Sequence, residues 1–431
     1  MRRRPARCAR RRSRSRPGSA WAAAPGYCFA VQTSKEEGGA LDLRLSDGDR
    51  SLKDRARQFT QRYLLPFEQE CEENDGLSSQ SLGQIRSAVI EWRFNAINHL
   101  TEDGGQGLDL FEQVLVEEEW GGATGALWDV PWRPSIPMRE GTEAQKDEYL
   151  RPACRGERRD AYAITEEHAG SDPSMVRTTA KRDGDGWVLN GEKWHVTTGD
   201  TADFLLVHAL VDGDASQPAV FFVDKDVPGV RVERTPKYMH RFVFEHPVFA
   251  LDQVRVGPDK LLGEVGGGYD LTKEWFVEER LMIAARDVGA SARALELSLD
   301  FARGRRQFGR PIVEFQGVGF ALADMAAELS AAQALLYRTG WEIGRGGASR
   351  GAAHALAGVA KLVCSETAGR ILDRAVQVHG GRGYMRENPV ERLWREVRVD
   401  RIWEGTSEIQ RHVILNELGK RGPGAFSRWP S

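Results

Sequence analysis

The sequence has little cysteine, and its potential metal ligands form no recognisable motif. Five cysteines are scattered over 431 residues without a C-x-x-C pair, and the nine histidines include no H-E-x-x-H spacing. This usage suits a reducing compartment and argues against a zinc site or another metal site. No run of 18 apolar residues occurs either, since the longest strongly apolar stretch, FLLVHALV, has the length of a strand. We therefore expect a soluble, cytoplasmic protein without a membrane span.

Acidic residues are missing from the first 35 positions. This segment contains nine arginines and Lys35, which gives it a charge of +10, and because the whole chain carries −3, the remaining 396 residues carry −13. An acidic body argues against a nucleic-acid-binding protein. We interpret residues 1–40 as a disordered basic extension whose composition cannot bury apolar surface. It could be an upstream extension from a misassigned start codon, a transit peptide to the mitochondrial matrix or a basic nucleic-acid arm.

A G-x-G-x-x-G motif after a strand is also absent, which argues against a Rossmann-type site for FAD or NAD. Hydrophobic periodicity instead divides the chain into three parts. Residues 41–158 have helical spacing, and residues 159–264 contain short β-rich runs separated by DGDG, DGD and VPG turn signals. Residues 265–421 contain long helices that suggest a four-helix bundle, followed by a tail at residues 422–431. We predict a mainly α protein with a small antiparallel β domain at its centre.

One carboxylate lies at a junction between two predicted helices near the C-terminus. An Arg- and Glu-rich helical run ends at Trp403, and Thr406 can cap the helix that follows. Glu404 is therefore placed between a large aromatic residue and Gly405. Trp403 and Ile402 would give it apolar surroundings that raise its pKa. From spacing alone, a solvated loop carboxylate remains the alternative interpretation.

The sequence around this junction resembles that of a known family. QVHGGRGYMRENPVER and RIWEGTSEIQR are similar to the C-terminal signature of the acyl-CoA dehydrogenases, and the similarity covers residues 45–420. The resemblance implies an N-terminal helical domain, a small antiparallel β barrel and a C-terminal four-helix bundle. It also implies bound FAD, a homotetramer, and α,β-dehydrogenation of an acyl-CoA thioester in fatty acid or amino acid catabolism. An electron-transferring flavoprotein would then accept the electrons.

Three further sequence segments resemble the cofactor-binding motifs of this family. AYAITEEHAGSD and NGEKWHVTTGD are similar to the family's two flavin-edge motifs, so that Thr197 would bond flavin N5 and His195 would flank the ring. Histidine replaces the usual Trp, Phe or Tyr there, and Glu167-His168 departs from the usual turn. In GRRQFGRPIVEFQ, Arg305 would meet the pyrophosphate of a neighbouring subunit's FAD. The implied cofactor-binding residues are Tyr162, Ile164, Thr165, Ser171, His195, Thr197, Arg305, Phe308, Phe315, Gln316, Gln377, Gly380, Gly381, Thr406 and Glu408.

The resemblance implies that Glu404 is the base that removes the α proton. Some relatives, the isovaleryl-type and long-chain dehydrogenases among them, carry the base at the helix position of Glu279, and this sequence has glutamate at both places. A surface ion pair of Glu279 with Arg280 or Lys273 is the alternative interpretation. The implied substrate-binding residues are Ser171, Arg280, Trp403 and Gly405.

Two rival functions remain open on the same fold. The changed flavin-edge positions, His195 among them, allow a flavin oxidase or monooxygenase that acts on a non-CoA substrate. A nucleic-acid-binding flavoprotein would need a basic patch, and both the charge of −13 and Glu404 weigh against it. Within the dehydrogenase interpretation, Gly405 leaves room for a thioester, and the bulky Trp403 indicates a shortened or reshaped acyl pocket.

Overall fold

The structure is a computed structural model that describes residues 44–427. Within this range it contains twelve α-helices and ten β-strands, together with shorter 3-10 and π turns. The prediction for residues 1–40 lies outside the described residues. None of the helices in the described range has the length and apolar character that a membrane span needs.

The N-terminal part consists of short and medium helices whose starts follow from local sequence. They are α1 (Asp47–Phe59), α2 (Glu68–Asn74), α3 (Ser79–Glu91), α4 (Leu110–Trp120), α5 (Glu143–Gln145) and α6 (Arg151–Arg155). Ser46 caps α1 in a capping box with Asp49, and Asp109 caps α4 in a second box with Glu112. Around Pro66 the first helical segment passes through a π turn and a 3-10 turn before α2 begins, as the sequence predicts for a proline there.

The central sheet has eight strands, and two of its pairings differ from the sequence prediction. The strands are β1 (Asp160–Ala163), β2 (Thr179–Asp183), β3 (Gly186–Lys193), β4 (Phe204–Val211), β5 (Pro218–Asp224), β6 (Val230–Arg234), β7 (Val248–Val256) and β8 (Leu261–Leu262). Neighbours follow the order β6-β7-β3-β2-β4-β5-β8, and β1 pairs with β4. Both β1 and β2 run parallel to β4, so the prediction of an antiparallel domain is wrong for these two pairs. Long connections rather than tight turns join them to β4, and local sequence does not report the direction of such a pairing.

Strand β4 accounts for the longest apolar run of the sequence. All eight of its residues are buried. Leu205 and Val207 belong to the core on one face of the sheet, whereas Phe204 and Leu206 pack on the other face beside Tyr149. A strand that is buried on both faces has a continuous apolar sequence rather than an alternating one.

The C-terminal part contains the predicted long helices. Its elements are α7 (Gly268–Gly304), β9 (Arg306–Gln307), β10 (Arg310–Pro311), α8 (Gln316–Gly344), α9 (Arg350–His379), α10 (Pro389–Glu396), α11 (Ser407–Arg421) and α12 (Gly424–Ser427). Helices α7, α8, α9 and α11 correspond to the predicted bundle, and α12 lies within the predicted tail. The fold class predicted from the sequence, mainly α with a central sheet, is confirmed.

Helix α7 approaches the N-terminal helix α4 very closely. A Cβ atom added to Gly289 would overlap the carbonyl oxygen of Glu118, and one added to Gly121 would overlap the backbone of Arg286. Glycine at both positions therefore allows the two helix backbones to meet. This contact brings the carboxylate of Glu117 beside α7, where the candidate active site lies.

Candidate active site

The turn that carries Glu404 and Gly405 is held by side chains from three helices. Arg280 on α7 donates from Nε to the carbonyl oxygen of Glu404 at 3.3 Å. Lys361 on α9 donates from Nζ to the carbonyl oxygen of Gly405 at 2.8 Å. Gln410 on α11 donates from Nε2 to both carbonyl oxygens, at 3.1 and 2.8 Å. The junction predicted from the sequence is thus a hydrogen-bonded, half-buried turn against the bundle and not a solvated loop.

The backbone of this turn is left-handed at two consecutive residues. Glu404 has φ +52° and Gly405 has φ +91°. A Cβ atom on Gly405 would lie 2.7 Å from Nε2 of Gln410, so the room left by this glycine is occupied by the Gln410 side chain. A non-glycine residue in this conformation costs about 1–3 kcal/mol, and such strain is typical of functional sites.

Glu404 is half-buried, and its pKa is raised to about 7. Burial is the largest cause, and the negative charge of Glu279 adds to it. The positive charges of Arg280 and Lys361 oppose the shift without cancelling it. A carboxylate with a pKa near neutrality suits general base catalysis. The raised pKa that the sequence suggests for Glu404 is therefore present.

The surroundings of Trp403 differ from the sequence prediction. Its ring contacts Trp128 edge to face, with centroids 6.1 Å apart, and lies 6.4 Å from Phe242 and 6.5 Å from His246. Ile402, in contrast, is 51% exposed. The prediction that Ile402 encloses Glu404 is wrong, because successive residues of the turn point in different directions.

A buried acidic pair lies behind the Trp403 ring. The Trp403 Nε1 atom donates to Oδ1 of Asp400 at 2.7 Å. Asp400 and Asp287 are both buried, and burial raises the pKa of both carboxyl groups. Trp403 is therefore fixed by a hydrogen bond on its inner edge as well as by its aromatic contacts.

Glu279 has a different partner from the one predicted. Its Oε1 atom lies 2.8 Å from Nη2 of Arg133, with 18% of the Glu279 side chain exposed. Lys273 pairs with Asp270 instead, and Arg280 is turned toward Glu404. The predicted pairing of Glu279 with Arg280 or Lys273 is wrong, because Arg133 comes from a loop 146 residues away and no local spacing reports it.

Arg133 bridges three carboxylates in this region. Its Nε atom lies 2.8 Å from Oε1 of Glu117, and its Nη1 atom lies 2.5 Å from Oε1 of Glu278. The planar guanidinium group suits such multiple contacts. Burial raises the pKa of Glu278 to about 7. Arg133, Lys361 and Gln410 support the site, and sequence reasoning assigned a role to none of them. Arg133 and Lys361 lie outside the recognised motifs, whereas Gln410 lies within RIWEGTSEIQR, which was therefore a visible signal.

The two predicted flavin-edge motifs are joined to each other. The backbone N–H of Trp194 donates to the carbonyl oxygen of Thr165 at 2.8 Å. Lys193, which is fully buried, donates from Nζ to the carbonyl oxygen of Ile164 at 3.0 Å and to Oε1 of Glu166 at 2.8 Å. Burial lowers the pKa of Lys193 to about 8, and the charge of Glu166 opposes that shift. The structure thus brings Ile164 and Thr165 next to the second motif.

His195 and Thr197, two residues apart in the second motif, are both exposed. Nδ1 of His195 lies 2.9 Å from the Tyr238 hydroxyl, and Oγ1 of Thr197 lies 3.0 Å from Nδ1 of His246. Tyr238 and His246 both belong to the loop between β6 and β7. Sequence reasoning missed these two supporting residues, although the unusual density of aromatic and histidine residues in KYMHRFVFEH was a visible signal.

Tyr162 connects the sheet to helix α7, within electrostatic reach of Glu404. Its hydroxyl lies 2.9 Å from Oγ1 of Thr272, and its ring stacks on Trp275 with centroids 4.4 Å apart. Burial raises the pKa of Tyr162, and the negative charge of Glu404 contributes to the same shift. Ser171 is exposed in the loop that follows β1.

The remaining predicted cofactor residues lie at the other end of α7. Phe301 stacks on His379 at 4.6 Å, so the ends of α7 and α9 are neighbours. Arg280 and Arg305 are 25 residues apart along α7, roughly 37 Å at 1.5 Å per residue. The structure therefore does not bring this second set together with Glu404. Its exposed members are Arg305, Phe308, Gln316, Gln377, Gly380 and Gly381.

Two other predicted residues lie at the start of α11. Thr406 is the N-cap, as the sequence predicts, and its Oγ1 atom accepts from the backbone N–H of Ile409 at 3.3 Å. Glu408 is exposed in the first turn.

No group of three or more histidine, cysteine, aspartate or glutamate side chains within residues 44–427 is arranged to hold a metal ion.

Comparison with known proteins matches three consecutive parts of the described chain. The family model described as "Acyl-CoA dehydrogenase, N-terminal domain" matches residues 46–157, the middle-domain model matches residues 161–249, and the C-terminal-domain model matches residues 266–419. A 3-(aryl)acrylate reductase of Clostridium sporogenes is 32% identical over 372 residues, which cover 85% of this chain and 97% of the relative.

Two further matches bear on cofactor and partner. The subunit CarC of the caffeyl-CoA reductase-Etf complex of Acetobacterium woodii is 31% identical over 386 residues, covering 88% of this chain and all of the relative. A crystal structure of an acyl-CoA dehydrogenase complexed with FAD from Bacillus anthracis is 30% identical and has a TM-score of 0.81. That match covers 87% of this chain and 68% of the other.

The three consecutive domain matches and the FAD-bound neighbour define the class of protein as a flavoprotein oxidoreductase. The chain belongs to the acyl-CoA dehydrogenase family. It is accordingly an oxidoreductase that acts on acyl-CoA, with FAD as its cofactor.

The side chains present fit FAD in two places. The exposed guanidinium group of Arg305 forms no ion pair with another described residue, so its donors are free for a diphosphate. A Cβ atom on Gly380 or Gly381 would meet nothing within 4 Å, which leaves open space beside the α9 terminus. At the sheet edge, the exposed hydroxyl of Thr197 and ring of His195 can contact the polar edge and face of a flavin.

Proposed function

We propose that this protein removes hydrogens from the α and β carbons of an acyl-CoA thioester and passes the electrons to an electron-transferring flavoprotein. The observation that carries the proposal is the turn of Glu404, which hydrogen bonds from Arg280, Lys361 and Gln410 hold between three helices, where burial raises the pKa of Glu404 to about 7. A base with this pKa is ionised in a useful fraction at neutral pH and still binds a proton well.

Glu404 takes the α proton, and the carbon–hydrogen electron pair of the α carbon becomes part of the new double bond. The β hydrogen leaves with its electron pair as a hydride. FAD, when bound, supplies the acceptor for that hydride. Trp403, held by Asp400 and Trp128, limits the space for the acyl chain and keeps water away from the carboxylate.

Glu279 acts on Glu404 from a distance in this proposal. Its ion pair with Arg133 occupies the carboxylate, and its negative charge raises the pKa of the base. Arg280 supports the turn through the Glu404 carbonyl group and lies at its inner side. We assign Glu404 as the base and Glu279 as a residue that tunes it.

We also propose a homotetramer in which each FAD is shared between subunits. The second set of cofactor residues lies roughly 37 Å along α7 from Arg280, too far to complete the same site within one subunit. Phe308 is 94% exposed and Tyr384 is 84% exposed at that end of the bundle. Large exposed aromatic side chains of this kind suit a protein interface.

The electron-transferring flavoprotein is proposed as partner because the similar subunit CarC belongs to a reductase-Etf complex.

A flavin oxidase or monooxygenase is the second candidate function. The observation that favours it is His195, which is exposed and replaces the aromatic residue usual in the resemblance. Partial desolvation of its ring and the charge of Arg234 lower the pKa of His195, which favours the neutral ring.

The test is an anaerobic titration of the FAD-loaded protein with straight-chain, branched and aryl acyl-CoA esters. We expect at least one ester to bleach the flavin absorbance, and the reduced protein to reoxidise slowly in air but rapidly with an electron-transferring flavoprotein. Rapid peroxide release in air would favour the oxidase instead. If no ester bleaches a fully loaded flavin, the proposed function is wrong.

A further inference from the structure

One loop holds both residues that are predicted to face the flavin ring. This loop joins β6 to β7 and spans residues 235–247. Its Tyr238 hydroxyl lies 2.9 Å from Nδ1 of His195, and Nδ1 of its His246 lies 3.0 Å from Oγ1 of Thr197. His195 and Thr197 are exposed, whereas His246 is buried, with 5% of its surface exposed.

The His246 ring is neutral and has a single N–H to place. Burial lowers the pKa of His246 to about 3. Its Nε2 atom is buried, and no hydrogen-bond partner for it exists among the described residues. A buried N–H without an acceptor is rarer and costlier than a buried lone pair without a donor. The proton therefore belongs on Nδ1, where Thr197 Oγ1 accepts it.

A threonine hydroxyl carries one proton and two lone pairs. If His246 Nδ1 donates to Thr197 Oγ1, the Thr197 proton is not used in that contact. Within residues 44–427, the Thr197 hydroxyl makes no other hydrogen bond. The proton can then be directed to the exposed side of the residue, where the flavin edge is proposed to bind.

We propose that His246 is a positioning residue, which donates from Nδ1 to Thr197 and turns the Thr197 hydroxyl into an obligate donor toward the flavin. This inference rests on the proposed placement of FAD at this edge. It assigns to His246 a role that neither the sequence motifs nor the comparisons supply.

The tautomer of His195 follows from the same count of hydrogen-bonding protons. The Tyr238 hydroxyl donates to the carbonyl oxygen of His246 at 3.1 Å, so its only proton is used there. His195 must then donate from Nδ1 to the Tyr238 oxygen, which leaves its Nε2 lone pair for solvent or a ligand. The loop thus gives the two flavin-facing residues opposite polarities, a donor at Thr197 and an acceptor at His195.

Aromatic packing keeps the His246 ring in place. The Phe242 ring lies 4.0 Å from it at an angle of 71°, and the Trp403 ring lies 6.5 Å away. His246 therefore also links Thr197 to the residue that precedes the proposed base. A ring held on two sides cannot rotate freely to offer Nε2 to Thr197 instead.

Three substitutions at His246 separate hydrogen bonding from packing. The side-chain amide nitrogen of asparagine lies close to the position of Nδ1, whereas that of glutamine reaches the position of Nε2. In the FAD-loaded protein, we expect His246→Asn to retain wild-type FAD affinity and flavin absorbance. We expect His246→Gln and His246→Leu to weaken FAD binding by about five- to tenfold, the effect of one lost hydrogen bond, and to shift the flavin absorbance band.

A double-mutant cycle with Thr197→Val tests whether His246 acts through Thr197. We expect Thr197→Val to weaken FAD binding, and His246→Leu to have no further effect in that background. His240→Leu is the matched control, since His240 lies in the same loop, is equally buried and contacts Phe242 at 3.9 Å without reaching Thr197. That variant should bind FAD as the wild type does.

The outcomes distinguish this inference from the proposed function. If the wild-type protein cannot be loaded with FAD, the cofactor placement itself fails. If FAD binds but His246→Leu has the same effect with and without Thr197, the positioning role is wrong. If His246→Gln keeps the wild-type FAD affinity while His246→Asn loses it, the proton lies on Nε2 and the assigned tautomer is wrong. If His240→Leu also weakens FAD binding, the effect of His246→Leu is due to loop packing and not to a hydrogen bond.

Discussion

The Nη2 atom of Arg133 lies 2.8 Å from the Oε1 atom of Glu279, and this ion pair separates the roles of the two candidate bases. A carboxylate bound to a guanidinium group is poorly suited to accept a substrate proton. Its negative charge nevertheless acts on Glu404, whose pKa it helps to raise. On the proposed assignment, the two glutamates have different roles, with Glu404 as the base and Glu279 as the residue that tunes its pKa.

We predict that Glu404→Gln abolishes flavin reduction by acyl-CoA while FAD stays bound. Loss of a general base lowers the rate by a factor on the order of 10² to 10⁴. Glu279→Gln is the control, and it should keep the reaction, since Glu404 remains. Rapid mixing with an active acyl-CoA under anaerobic conditions measures both rates. The reverse pattern would make Glu279 the base.

We predict that the rate constant of flavin reduction rises with pH and levels off above pH 7. Glu404 must be ionised to take a proton, and its pKa is about 7. Well below that pH the rate falls by about tenfold per pH unit, because the ionised fraction falls by that factor. Glu279→Gln removes a neighbouring negative charge and should move this limb to lower pH. Identical pH–rate profiles for the wild type and Glu279→Gln would contradict the coupling between the two carboxylates.

We predict a pH-dependent stability difference between the wild type and Glu404→Gln. The pKa of Glu404 is raised from 4.5 in the unfolded chain to about 7 in the fold, so the protonated form is favoured on folding. This contribution is present below pH 4.5 and is lost as the pH rises through 7. Glutamine has no such loss, so its advantage in the free energy of unfolding should be larger at pH 8 than at pH 5, by at most about 3 kcal/mol. Equal differences at both pH values would mean that Glu404 is not desolvated.

We predict that Arg305→Ala lowers FAD retention and weakens the oligomer. The exposed guanidinium group is the proposed diphosphate ligand, and loss of a charge-assisted contact should weaken binding by about tenfold or more. Arg303→Ala removes an equally exposed charge two residues earlier and serves as the control. Gel filtration with absorbance at the flavin band measures both properties. Identical behaviour of the two variants would rule out a specific contact at Arg305.

We predict that Gly405→Ala destabilises the protein by about 1–3 kcal/mol. The new Cβ atom would lie 2.7 Å from Nε2 of Gln410, in a backbone with φ +91°. Gly419→Ala is the matched control, since a Cβ atom there meets nothing within 4 Å and alanine favours the α11 helix. Thermal unfolding should show a lower midpoint for the first variant and an unchanged or higher one for the second. A neutral Gly405→Ala would show that the turn can relax.

The sequence by itself determined the parts of this protein that depend on local interactions. Helix starts at Ser46, Asp109 and Thr406 follow from side chains that cap their own backbone within three residues. The continuous apolar run of β4 marks a strand buried on both faces. The motif strings determined which segments carry Glu404 and the residues predicted to face the flavin, because each string is a contiguous segment.

Tertiary structure alone decided which distant groups meet, and hence the electrostatics of the site. The pKa of Glu404 depends on Glu279, Arg280 and Lys361, which belong to two other helices. The partner of Glu279 is Arg133, 146 residues away, and the partner of Thr197 is His246, 49 residues away. Electric charge and burial act through space, so spacing along the chain cannot report them. The sequence also did not reveal that β1 pairs with β4 in parallel, because a long connection joins the two strands and local spacing does not report their relative direction.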